Sequence, residues 1–317
     1  GALGQVMTRT YCAGDIQDAA HVNTCPVHWL LAANEKPGQE RRGYAIVPPE
    51  REISPERRAA HSLSRGEIPL QDPYEPGERF EFGITLFGHA LKFLPYFVLA
   101  VPEMGRAGVG PGRGKFALKS VWAENPLTRE RECLLTENDN LVRTPTLIMT
   151  HHKVLAEVEH ALQRMVANGV RVIIHFRTPT RLIEDGRLAQ APKFDIFFAR
   201  LLKRLDELNE QFGAFDPGLA TGDEASHSAR RGAEAARALH ELAGRVWLQS
   251  QETRWVEVWS GSNRRGTPSP LSGIVGSACY MAPSSGDWGV LMPWLLWGQL
   301  AQVGKSTVKG NGVIGVN

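Results

Sequence analysis

Cysteine is scarce in this 317-residue chain: there are four, Cys12, Cys25, Cys133 and Cys279. They show no CxxC spacing and no nearby HxxxH, so neither a disulfide framework nor a zinc site is expected, and a reducing cytoplasm is the expected compartment. No cofactor is expected either. Long apolar runs are also missing, which excludes a helical membrane span. The opening GALGQVMTRTYC has neither the charged-then-apolar order of a secretory signal nor the Arg/Ser-rich character of a transit peptide. Nor is there a large net charge. The 36 Lys and Arg against 34 Asp and Glu leave +2, so local patches rather than bulk charge must speak for or against a polyanionic partner.

What is plentiful is glycine, 32 residues. The closing VGKSTVKGNGVIGV looks like the end of a phosphate-binding P-loop. That motif needs a glycine five positions before the Gly-Lys pair and a long helix after it. Gln299 stands at that position, and only thirteen residues follow Gly304. A nucleotide-hydrolysing reading fails on this spacing.

Hydrophobic periodicity gives the organisation. Leu3, Val6, Met7, Thr10 and Tyr11 recur at helical spacing, residues 12–42 and 49–78 read as loops around a short strand from Tyr44 to Val47, and Phe80, Phe82, Ile84 and Leu86 alternate as a strand. An apolar helix (HALKFLPYFVLAV), the loop GRAGVGPGRG and the strand KFALKSVWA follow. The second half has a β-rich run from Val170 to Phe176 and an amphipathic helix from Phe194 to Phe212. A polar linker over 213–232 leads to the strands WVEVWS and LSGIVGSACY, the helix WGVLMPWLLWGQL and a last short strand. Gly112 and Gly114 lie 17 and 19 residues after Pro95, as Gly310 and Gly312 do after Pro293. This predicts a duplicated strand–helix–Gly loop–strand unit and an α+β fold of two tandem ferredoxin-like domains. The expected division is 1–127, a connector with a helix over 128–168, and 169–317.

In the C-terminal loop Gly304, Gly310 and Gly312 with Lys305 and Lys309 fit backbone contact with phosphate. The competing reading is a helix-to-strand turn, and for the N-terminal loop, with Arg113 and Lys115, packing is the better reading. Arg177, Arg181 and Arg187 lie around the strand exit HFRTPTRLIEDGR, where they fit either phosphate contacts or a solvated loop paired with Glu184 and Asp185. The segment over 51–67 is only slightly basic. Of ten histidines, His21 and His28 lie in a loop-rich region, the usual place for catalysis, although any one histidine is more often structural.

The ordered set FEFGITLFGHALKFLPYFVLAV…GVGPGRGKFAL, IIHFRTPTRLIEDGRLAQAPKFDIFFARLLKRLDEL, SGIVGSACY and GQLAQVGKSTVKGNGVIGV resembles the CRISPR-associated RAMP-type endoribonucleases that process CRISPR precursor transcripts. The resemblance implies tandem RRM-like domains that bind CRISPR repeat RNA, retain the crRNA and serve other subunits of an effector complex. It implies metal-independent cleavage, in which the 2′-OH attacks the adjacent phosphate and leaves a 2′,3′-cyclic end. It places the catalytic histidine shortly after the first helix of the N-terminal domain, which His28 matches best and His21 second. It also implies a first strand that is not found before the opening helix. The alternative it leaves is a noncatalytic RNA-binding subunit of such a complex.

Overall fold

The computed structural model describes residues 2–12, 14, 18–31, 42–51, 73–110, 112–167, 170–184, 186–213, 234–260 and 269–317. The expected linker over 213–232 and the weakly basic segment over 51–67 lie, except for Gly213 and Arg51, outside them. The first helix, α1 (Ala2–Tyr11), buries Leu3, Val6 and Met7 as its spacing predicts. Where composition predicts loop, two six-residue helices form, α2 (Ala19–Thr24) and α3 (Pro26–Leu31). Asp18 caps α2 by accepting the Ala20 N–H at 2.9 Å. Pro26 opens α3, where its missing N–H costs nothing, and Val27 and Leu30 bury one turn of it. Burial here overrides a loop-like composition.

Strand β1 (Tyr44–Val47) pairs with β2 (Gly83–Leu86), shorter than the alternation from Phe80 predicts. A 3₁₀ turn, Gly88–Phe93, leads into α4 (Leu94–Ala107). Strands β3 (Ser120–Glu124) and β4 (Arg131–Thr136) form a separate antiparallel pair before α5 (His151–Ala167).

Strand β5 (Arg171–Thr180) is followed by the small hairpin β6 (Ile183–Glu184) and β7 (Arg187–Leu188), then by α6 (Phe194–Phe212) and α7 (residues 234–243). Next come β8 (Trp247–Val256), the pair β9 (Trp259–Ser260) and β10 (Ser269–Pro270), β11 (Gly273–Met281), α8 (Ser285–Ala301) and β12 (Ile314–Val316). The four-stranded sheet has the order β12-β5-β11-β8, antiparallel throughout. Counted along the chain this is βαββαβ with spatial order 4-1-3-2, the ferredoxin-like arrangement.

The chain packs as two compact units, one of 1–44, 86–157 and 207–215, the other of 45–85, 158–206 and 216–317. In the second, Val172, Ile174 and Phe176 of β5 are buried and alternate with exposed Arg171 and Arg177. Ala278 and Tyr280 of β11 stand opposite Ile174 and Val172 and share their buried face. Phe194, Phe198, Tyr280 and Trp288 fill the core above that face. Burial pushes the Tyr280 phenol far above its usual range, and its hydroxyl donates to the Pro192 carbonyl at 2.6 Å. Tyr280→Phe strands that buried carbonyl and is expected to lower stability by about 1–3 kcal/mol in denaturant titration. An unchanged midpoint would show that the hydroxyl bond contributes nothing.

Candidate functional sites

The first site follows α8. Gly304, Gly310 and Gly312 have φ of 86°, 94° and 79°, with Ser306 at 66° between them. A β-carbon at Gly304 would stand 2.8 Å from the Arg181 carbonyl oxygen, and one at Gly312 only 1.9 Å from that of Val303. The Gly310 amide donates to Thr307 O at 3.1 Å and the Gly312 amide to Pro179 O at 3.1 Å, while Val303 N–H donates to Gly312 O at 2.8 Å. Gly310 and Gly312 are buried. The close approach that glycine permits here is therefore to the chain's own backbone, at the end of β5. What the loop offers outward is Lys305 and Lys309, both exposed.

The proposed equivalence of the two Gly loops does not survive at the level of geometry. Pro95 is the second residue of α4, whereas Pro293 lies in the interior of α8. Positive φ falls at Gly108, Gly110 and Arg113, not at Gly112 or Gly114, which are exposed. Matching offsets from two prolines thus join positions with different backbones. Arg113 belongs to the other compact unit from the C-terminal loop.

The arginines of the β5 exit have distinct surroundings. Arg177 donates from Nε to Glu50 Oε2 at 2.9 Å and again from Nη2. Arg181 is half-buried with its backbone against Gly304, which sets it beside the Lys305 loop. The Ser272 hydroxyl, the Trp255 indole and then the Arg181 charge hold the Glu257 carboxyl below its usual range. Arg187 is exposed opposite Glu184, whose carboxylate takes Lys193 Nζ at 3.1 Å.

The second site lies in the N-terminal unit. Cys12 directly follows α1, His21 sits on α2, Cys25 is the C-cap of α2, and His28 is on α3. Their four ligand atoms lie within 4.8 Å of one another. Cys12 Sγ is 3.2 Å from His21 Nε2 and 3.6 Å from His28 Nδ1. The two imidazole rings are perpendicular, 5.3 Å between centroids. Cys25 is buried and the other three are half-buried. Burial raises the Cys12 thiol above its usual range, the Cys25 thiol adds to this, and a hydrogen bond from the Gly14 amide opposes it. Spacing tests for CxxC and HxxxH miss this set because cysteine and histidine alternate along it. The signal was H-x₃-C-x₂-H, one imidazole and one thiol a helical turn apart, repeated.

An antiparallel βαββαβ sheet whose last strand follows a Gly-rich loop defines the C-terminal part as a ferredoxin-like domain. Residues 174–314, spanning most of it, match the family model of the CRISPR-associated endoribonuclease Cas6. Residues 1–147 match a second family model, described as an N-terminal domain. Among solved structures, a Cas6 product complex is similar at 14% identity and a TM-score of 0.52, covering 100% of this chain and 91% of that one, a likeness of fold. Thermus thermophilus Cas6 is 13% identical over 86% of this chain and 96% of its own, with a TM-score of 0.41. No match is found among curated proteins. Among the described residues no helix is long and apolar enough to cross a membrane.

Proposed function

We propose that the chain is an endoribonuclease that cleaves CRISPR precursor RNA within its repeats, keeps the crRNA product and works beside other CRISPR-associated subunits. The observation that carries this reading is the Cas6 family match over 174–314, coincident with the βαββαβ sheet and its Gly-rich loop. The family match over 1–147 supports a second, N-terminal domain, for which the tandem ferredoxin-like plan is the proposed architecture. Lys305 and Lys309, with Arg181 and Arg187, supply the exposed or half-exposed positive charge around the loop. Phosphate contacts at these groups position RNA without reading its sequence. Arg177 joins them by exchanging Glu50 for a phosphate, and Arg113, exposed in the N-terminal unit, is a further phosphate contact.

Cleavage follows from the chemistry of RNA itself. A base takes the 2′-OH proton, O2′ attacks the adjacent phosphorus, and the 5′-oxygen leaves with a proton from an acid. The products are a 2′,3′-cyclic phosphate and a 5′-OH, and no metal at the scissile phosphate is required. Cations near the phosphorane stabilise its charge. The proton transfers fall to His28 and His21 only if those rings are free, and the contacts with Cys12 occupy one nitrogen of each.

Repeat RNA incubated briefly with the protein in EDTA is expected to be cut, with a cyclic phosphate end. Tight binding of intact RNA would instead make the chain a noncatalytic subunit. Lys305→Ala with Lys309→Ala is expected to weaken repeat-RNA binding and flatten its salt dependence by roughly one to two units of log–log slope, at about 0.7 per lost phosphate contact. An unchanged slope in filter binding would return the loop to a plain helix-to-strand turn.

A further inference from the structure

We infer that Cys12, His21, Cys25 and His28 form a structural Zn²⁺ site that clips the first three helices together. The donor set is two thiolates and two imidazoles, the borderline-soft combination that suits tetrahedral zinc. With Zn–S about 2.3 Å and Zn–N about 2.0–2.1 Å, the sulfur–nitrogen edge of such a tetrahedron is about 3.5–3.6 Å. The observed Cys12 Sγ distances, 3.2 Å to His21 Nε2 and 3.6 Å to His28 Nδ1, bracket that edge. All four donor atoms come from the protein, which leaves no open position and marks a structural rather than a catalytic metal. The two imidazole rings are perpendicular rather than stacked.

Helices of six residues are far below the length at which a helix is stable alone. α3 buries Val27 and Leu30, but no described side chain of α2 is buried. In the inferred site α2 is held through His21 and its C-cap Cys25, four residues apart. Gly14 makes room for the His21 ring. A β-carbon at Gly14 would stand 2.2 Å from His21 Nδ1, so only glycine lets the backbone pass the ring. The Gly14 amide in turn donates to the Cys12 sulfur, the kind of outer-shell bond that orients a metal ligand.

Ligation uses the lone pairs that proton transfer at His21 and His28 would need. Zinc ligation therefore removes both rings from the acid/base role, so that RNA cleavage would draw its base and acid from other groups; the two readings fail separately, because metal content is measured without RNA. The full-length protein, purified from zinc-supplemented medium and desalted, is expected to carry about one zinc per chain by elemental mass spectrometry. Replacement of that zinc by Co²⁺ is expected to give the intense visible bands of a tetrahedral thiolate site. Cys25→Ser and His21→Ala are each expected to lower bound zinc at least about tenfold, while Cys133→Ser with Cys279→Ser keeps it. Should the ligand variants fail to fold, zinc release from the wild-type chain on thiol modification, read with a colorimetric chelator, carries the test. A wild-type protein that neither retains nor takes up Zn²⁺ overturns the inference. So does a folded His28→Ala protein that keeps its full zinc.

Discussion

Phe194→Ala is expected to destabilise the C-terminal ferredoxin-like domain by about 3–5 kcal/mol, the usual cost of deleting a buried ring. Phe194 is 1% exposed, at the first position of α6. Its ring lies 5.5 Å from that of Phe198, 5.2 Å from Tyr280 and 5.6 Å from Trp288, the last two edge-on. It thus joins α6, β11 and α8, and no neighbour can collapse into its place without leaving its own contacts. Because a small domain is stable by only about 5–15 kcal/mol, the loss is a large share of the total. Val290→Ala, on the exposed side of α8 (52% exposed), is the control and is expected to stay within about 0.5 kcal/mol. Equal denaturation midpoints for the two variants would refute the central place given to Phe194. RNA affinity is expected to fall with Phe194→Ala only where the domain unfolds.

The C-terminal domain was legible because its signals are long and redundant. The alternation of Val172, Ile174 and Phe176 and the stripe Phe194, Phe198, Leu201, Leu208 are each buried in the structure, and βαββαβ is the order in which such signals occur. The N-terminal half was less legible. Its short helices α2 and α3 hold one or two turns each, too few for a periodicity to stand out from Pro- and Gly-rich surroundings. The Cys12–His21–Cys25–His28 set needs three separate helices to be placed before its atoms meet, so only the H-x₃-C-x₂-H part was open to inspection. The Gly loops show the opposite error. Offsets from Pro95 and Pro293 match in sequence, yet one proline opens a helix and the other sits inside one, and a count of residues carries no φ angle.

Gly312→Ala is expected to cost several kcal/mol in the same domain and to act through stability rather than through RNA contact. An alanine in left-handed backbone costs about 1–2 kcal/mol by itself, and Gly312 has φ of 79°. Its β-carbon would also lie 1.9 Å from Val303 O, a distance no relaxation of side chains can relieve because the obstacle is backbone. Backbone must move, and with it the Val303 N–H bond to Gly312 O and the Gly312 N–H bond to Pro179 O that hold the loop between α8 and β5. The combined loss is expected to be on the order of 3–5 kcal/mol, in the range reserved for strained or overpacked sites. Gly112→Ala is the comparison: nothing lies within 4 Å of its added carbon, and its unit is expected to melt as wild type. If glycine stood at 312 to admit RNA, Gly312→Ala would keep its melting temperature and lose RNA affinity. Packing against β5 demands the reverse order of effects, a lower melting temperature first, with repeat-RNA affinity retained below it wherever Lys305 and Lys309 are still presented.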